Sequence, residues 1–235
     1  MNILALDTAT TILSVALATE RENFFFEVDA GRRHSELLME VTERVIKTAG
    51  LEPRDIELVA CMRGPGSFTG LRIGFAAAKG LSLSLGIPLV AIPTLDCMAA
   101  PCRTWPGIVL PVIDAKKHRY FTALYRSAEN ISPYMDADAE AIAQAITEAD
   151  QDELILLTGP DADMLLQDLE QICSRSVCPT YMIRLDPSRK KGRGSELLEI
   201  ARRCSIVHHR HDVYSGPEYL RKSDAELNSL AKHRK

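Results

Sequence analysis

The sequence lacks the marks of several common functional classes. No pair of its six cysteines (Cys61, Cys97, Cys102, Cys173, Cys178, Cys204) has the two-residue spacing of a zinc knuckle. Several lie in apolar stretches, which predicts buried free thiols in a reducing cytosol. No Gly-x-Ser-x-Gly elbow occurs; "GPGSFTG" brings its second glycine one residue late for a serine hydrolase. His34 has no second histidine four residues on, so the zinc-peptidase helix pattern is missing. The longest weakly charged stretch, Gly80 to Leu95, is interrupted by Gly86, Pro88 and Pro93, so no membrane span is expected. The opening "MNILALDTAT" has neither a basic start nor a small-residue cleavage site, so no signal peptide is expected and the cytoplasm is the predicted compartment.

What remains is the composition of a globular protein, 46% apolar and 26% charged over 235 residues, enough for one large or two small domains. The net charge of −4 conceals an asymmetry. From Arg184 onward there are 13 Lys+Arg against 7 Asp+Glu, whereas the first 183 residues carry 15 against 25. A basic final quarter fits either a nucleic-acid contact or a solvated helix face.

Apolar runs "ILALD", "ILSVALA" and "NFFFEV" predict three strands in quick succession, two of them needing helices on both sheet faces. "HSELLMEVTERVIKTAG" predicts a helix with Ser35 as N-cap and Gly50 as its stop. Its apolar surface, with Leu37, Leu38, Val41, Val45 and Ala49 on one side and Met39 and Ile46 beyond, is wider than one sheet-facing stripe requires. "DIELVACM" predicts a strand, "SFTGLRIGFAAAKGLSLSLG" a helix and "IPLVAI" a strand. Pro101, Trp105 and Pro106 mark a domain boundary. Strands then restart at "GIVLPVIDA" and "RYFTALYR", joined at "KKH", followed by two helix–strand pairs and a last helix, "GSELLEIARRCS". Both halves open with a strand ending in aspartate (Asp7, Asp114), which predicts two related α/β subdomains.

Two stretches carry candidate chemistry. In "GPGSFTGLRIG", a glycine loop enters a helix, the arrangement that attracts anions. Gly70 is followed by Leu71 and Arg72, where a phosphate loop needs Lys-Ser/Thr. Close backbone packing is the other use of such glycines. The helix behind it is apolar or small all round, so a second partner beyond its own sheet is expected. "LDTAT" fits either a first phosphate loop or a plain turn with Asp7 accepting backbone amides. His208, His209 and His211 fit either a metal-collecting cluster or a basic loop, and Arg189, Lys190, Lys191 and Arg193 form the densest positive loop, a candidate contact for nucleic-acid phosphates.

Taken together, "ILALDTAT", "SVAL", "GRRHSELLM", "RGPGSFTGLRIG", "GIPLVAIPTLD", "VIDAKKHRYFTALY" and "PEYLRKSDA" resemble the bacterial TsaB (YeaZ) family, over residues 1 to about 225. The resemblance implies an α/β fold of two actin-like ATPase (ASKHA, ribonuclease H-like) subdomains with mixed sheets flanked by helices. On this chain they run from 1 to 104 and from 105 to 216, with a C-terminal segment, 217 to 235, that can return to the first. It implies a non-catalytic but required subunit, paired with a TsaD-type threonylcarbamoyltransferase and a TsaE-type ATPase. That set makes threonylcarbamoyladenosine beside the anticodon of tRNAs reading codons that start with A. The helices carrying Leu37, Leu38, Met39, Val41, Ile73, Ala77 and Leu81 correspond to the family's docking surface, which can also seat a second copy of the chain. Asp7 and Thr8 would be a vestigial nucleotide loop. No cofactor or metal is expected on this chain, since Thr94, Leu95 and Asp96 stand where TsaD-type relatives carry metal-binding histidines; ATP and metal would belong to the partners. The rival readings are a glycoprotease-like peptidase and an independent actin-like ATPase.

Overall fold

The computed structural model describes residues 1–149, 153–173, 182–206 and 216–220. The first sheet holds β1 (Ile3–Asp7), β2 (Ile12–Ala18), β3 (Asn23–Asp29), β4 (Leu58–Gly64) and β5 (Leu89–Pro93), in the order β3-β2-β1-β4-β5. β1 to β3 run antiparallel, and β4 and β5 continue parallel to β1. Side chains alternate across a strand, and β1 uses both faces. Leu4 and Leu6 meet Leu38 and Val45 of α1 (His34–Thr48) and Phe75 and Ala78 of α2 (Phe68–Leu85). Ile3 and Ala5 turn the other way. β3, at the sheet edge, alternates between half-buried and exposed positions.

The opposite face is covered by the last helix of the described residues. α3 (Thr94–Ala99) leads out of the first sheet. α4 (Ala139–Ala149) and α5 (Ala162–Cys173) belong to the second half, and α6 (Gly194–Ile206) returns. Leu197, Leu198 and Ala201 of α6 pack on Ile3, Ala5, Ala16 and Ala60. This corrects the boundary at residue 216, because α6 belongs structurally to the first subdomain. Small side chains on β1, β2 and β4 make room, and a Cβ on Gly194 would lie 2.5 Å from Ser14 Oγ. A larger residue would have to displace the Ser14 side chain.

The second sheet has the order β10-β9-β6-β12-β13, built from β6 (Ile108–Pro111), β9 (Tyr125–Arg126), β10 (Glu129–Asn130), β12 (Ile155–Thr158) and β13 (Ile183–Leu185). A three-stranded sheet, β11-β8-β7, stands beside it, from β7 (Ile113–Asp114), β8 (Tyr120–Thr122) and β11 (Met135–Ala137). α4 and α5 cover one side of this half, while Leu95 and Met98 of α3 pack on Val109, Tyr125 and Leu156. α3 is therefore wedged between the subdomains. The two-subdomain α/β fold, with mixed sheets flanked by helices, is the class expected from the resemblance.

Two helix starts differ in kind. Ser67 caps α2, its Oγ accepting from Gly70 N at 3.3 Å, and Gly86 ends the helix in the left-handed region at φ 67°. α1 instead begins at His34, with Arg33 at the cap position and no side-chain cap bond, so Ser35 lies inside the first turn and does not cap it.

Candidate functional site

The loop after β1 is held entirely by the protein itself. Asp7 is 2% exposed; its Oδ1 accepts from Ala9 N at 3.1 Å and its Oδ2 from Arg193 N at 3.0 Å. Burial nevertheless pushes its carboxyl up to about 6, outweighing those bonds. Thr8 Oγ1 donates to Gly70 O at 2.8 Å, and Ser67 N donates to Ala9 O at 2.8 Å. A Cβ added to Gly66 would lie 2.6 Å from Ala9 O, and one on Gly70 or Gly74 would overlap Thr8. The glycines of "GPGSFTGLRIG" thus let the start of α2 lie directly on the Asp7–Ala9 turn. Close packing is what they are used for, and it takes up Thr8 Oγ1 and Ala9 O of the turn.

A cleft of about 700 Å³ lies between the subdomains. Thr10, Gly66 and Ser67 line one wall, and Asp114, Lys116 and Asp161 the other. Lys116, Lys117 and His118 all take left-handed φ values, 66°, 61° and 55°, so the second-half turn is made without glycine at some backbone cost. Lys116 Nζ sits 2.6 Å from Asp114 Oδ2, which raises the lysine's pKa. Asp161 Oδ2 accepts from Asp114 N at 2.8 Å, and burial raises its own pKa.

A short C-terminal strap closes the rim. Glu218 N donates to Arg63 O at 2.8 Å, and Glu218 Oε2 lies 2.8 Å from Arg63 Nε without hydrogen-bond alignment. Tyr219 stacks on Phe68 at 4.8 Å and accepts from Arg72 Nε at 3.2 Å; the Arg72 guanidinium sits 3.8 Å from the Phe68 ring centre. This described segment, 216–220, returns to the first subdomain.

On the helix pair, the sequence-predicted residues divide. Leu38, 1% exposed, and Val41 lie inside the first core, so they face inward and are corrected as docking residues. Leu37, Ile73, Ala77 and Leu81 are partly buried and lean on the same core. Met39 alone of the seven stands out, at 50% exposure. The outward stripe of α2 is Arg72, Ala76, Gly80 and Leu83, spaced for one helix face, with Leu83 68% exposed. The apolar girth that the sequence displays is largely used by the sheet and by contact between α1 and α2.

The basic loop changes more. Arg193 is 3% exposed, and its Nη2 donates to Thr158 Oγ1 at 3.2 Å and Ser188 O at 3.3 Å. It is withdrawn as a tRNA contact, because a buried guanidinium reaches no phosphate. Arg189 grips Asp163 with two bonds, 2.7 and 3.0 Å, and Lys190 lies 3.2 Å from the same carboxylate, which is held down to about 2. Only Lys191 of the four is exposed with no ion pair among the described residues. His208, His209 and His211 lie outside the described residues.

Groups suited to peptidase chemistry do not assemble among the described residues. No three His, Cys, Asp or Glu side chains converge there to hold a metal. Burial pushes the Cys61 thiol up to about 12 and Cys102 to about 11, far from a reactive thiolate. No helix of the described residues is long and apolar enough to cross a membrane.

Comparison with known proteins decides the lineage. A family model described as TsaD: tRNA N6-adenosine threonylcarbamoyltransferase matches residues 28–153. The chain is 28% identical over 230 residues to the tRNA threonylcarbamoyladenosine biosynthesis protein TsaB of Bacillus subtilis (strain 168), covering 96% of each. The chain belongs to the TsaB (YeaZ) family. The Escherichia coli (strain K12) TsaB is 39% identical over 133 residues, 55% of this chain and 57% of that protein. The solved structure of YeaZ from Pseudomonas aeruginosa shares the fold of this TsaB-family chain, with a TM-score of 0.76, 22% identity, and coverage of 93% and 99%. Two features escaped the sequence reading, the buried Arg193 and Asp96 accepting from Tyr125 and Tyr134, while the strap at Tyr219 lies in the C-terminal segment expected to return to the first subdomain.

Proposed function

We propose that this chain is a required, non-catalytic subunit in tRNA threonylcarbamoyladenosine biosynthesis. It docks on a TsaD-type threonylcarbamoyltransferase and works with a TsaE-type ATPase. The product forms beside the anticodon of tRNAs reading codons that start with A, in the cytoplasm, with ATP and metal on the partners. Family membership supports the pathway, since the B. subtilis and E. coli relatives carry that name.

One observation carries the division of labour. The start of α2 packs directly on the Asp7–Ala9 turn, while Met39 and the Ala76–Gly80–Leu83 stripe of α2 stay exposed. Small residues let a partner helix approach closely, and exposed Leu83 and Met39 supply apolar area to bury. The same stripe can seat a second copy of the chain when the partner is absent.

Size-exclusion with light scattering tests this. The chain mixed with the TsaD homologue of its own organism is expected to form a complex, and Leu83→Glu to weaken it at least tenfold without loss of fold. A Leu83→Glu chain that binds undiminished, or a wild-type chain that stays unpaired, would overturn the reading.

A further inference from the structure

Among the described residues the backbone crosses between the subdomains twice. It leaves through α3 and the turn Ala100–Cys102, and returns from Asp186 through Gly192 to α6. Both crossings meet at one carboxylate. Asp186 Oδ2 accepts from Thr158 Oγ1 at 2.7 Å, Asp186 Oδ1 accepts from Ser188 N at 2.8 Å, and the Cys102 thiol of the outgoing crossing lies 3.9 Å from Oδ2. Arg193 stands beside it, its Nη2 3.6 Å from Asp186 Oδ2.

We propose that Arg193 and Asp96 form a two-point latch that fixes the subdomains at one separation without any ligand. Arg193 is anchored in the first subdomain, its N–H on Asp7 and the next residue starting α6, while its guanidinium reaches Thr158 on β12 of the second. Asp96, on α3, accepts from Tyr125 OH at 2.6 Å and Tyr134 OH at 2.7 Å, both in the second subdomain. Burial with Asp96 alongside raises both phenols, so they stay protonated donors at all physiological pH. Opening the cleft pulls Thr158 from Arg193 and both tyrosines from Asp96 together. The low dielectric around a residue as buried as Arg193 strengthens its bonds, and breaking one point loads the other.

The consequence is a clamp of fixed width. In a hinged two-domain fold, a ligand bridging the walls drives closure. Here protein groups already bridge them, so the second subdomain is presented at a constant angle to the α1–α2 face. This latch does not depend on what docks there.

Hydrogen exchange on the full-length chain tests it, with two variants. Arg193→Met removes one point; Tyr125→Phe/Tyr134→Phe removes two hydroxyls from the other and leaves both rings in place. In wild type, amides of 100–112 and 183–193 should be protected, and adding Mg-ATP should not change them. Each variant should raise exchange in those segments at least tenfold more than in β1 and β4, and small-angle scattering should report a larger radius of gyration. Should Arg193→Met fail to fold, the tyrosine double variant carries the test. Variants with intact β1 and β4 protection but unchanged crossings would overturn the latch. So would wild-type crossings that exchange as fast as exposed loops.

Discussion

Each subdomain has an early strand that ends in aspartate, β1 in the first and β7 in the second, and the two treat the following turn in opposite ways. Asp7 closes β1 and disappears under α2 and Arg193, every polar atom of its carboxylate taken up by backbone N–H groups. Asp114 closes β7 and opens onto the cleft, where its partner is Lys116, an exposed side chain on a left-handed turn. On the function proposed above, a strand-aspartate-turn pattern is no guarantee of a phosphate site. What decides is the element packed against the turn. Glycines at 66, 70 and 74 bring a helix onto the first turn, and among the described residues nothing comparable covers the second.

That contrast is broken most severely at Arg193. Arg193→Ala leaves Asp186 with its buried cation gone and should cost about 3–5 kcal/mol in urea unfolding. Truncating Lys116 is the opposite case. The pH dependence of the first turn sharpens the comparison. Asp7 has a folded pKa near 6, above its usual 3.8, so its share of stability is full below pH 3.8 and lost as pH rises through 6. Relative to Asp7→Asn, which never ionises, wild type should lose at most roughly 3 kcal/mol between pH 4 and pH 7, read as the difference of two pH–stability curves. Gly70→Ala drives a methyl into Thr8 and should cost roughly 1–3 kcal/mol by thermal unfolding. Lys116→Ala gives up only an exposed ion pair, and its unfolding free energy should move by less than about 1 kcal/mol.

How much was legible follows from where the information lies. Uninterrupted apolar runs at β1 and β2 announce a sheet covered on both faces, and Ser67 and Gly86 bracket α2 in plain view. Which side of α2 faces out was not legible, because a helix apolar all round has no phase to read. Leu81 leans on the core and Leu83 does not, although the sequence treats them alike. Arg193 sits in a run of arginines and lysines that reads as solvated, and its burial depends on Thr158 and Asp186 arriving from elsewhere in the chain. α6 was misplaced for a related reason, since chain order puts it after the second subdomain while its contacts lie on the first. Asp96 lies 29 residues from Tyr125, and no local pattern links them.

The central claim is that the first turn is a seat for α2 rather than for a phosphate. Calorimetric titration of Mg-ATP into the isolated chain tests it most directly. The account predicts no binding at micromolar affinity. Micromolar binding that Asp7→Ala weakens would mean the turn opens to nucleotide, and would contradict it.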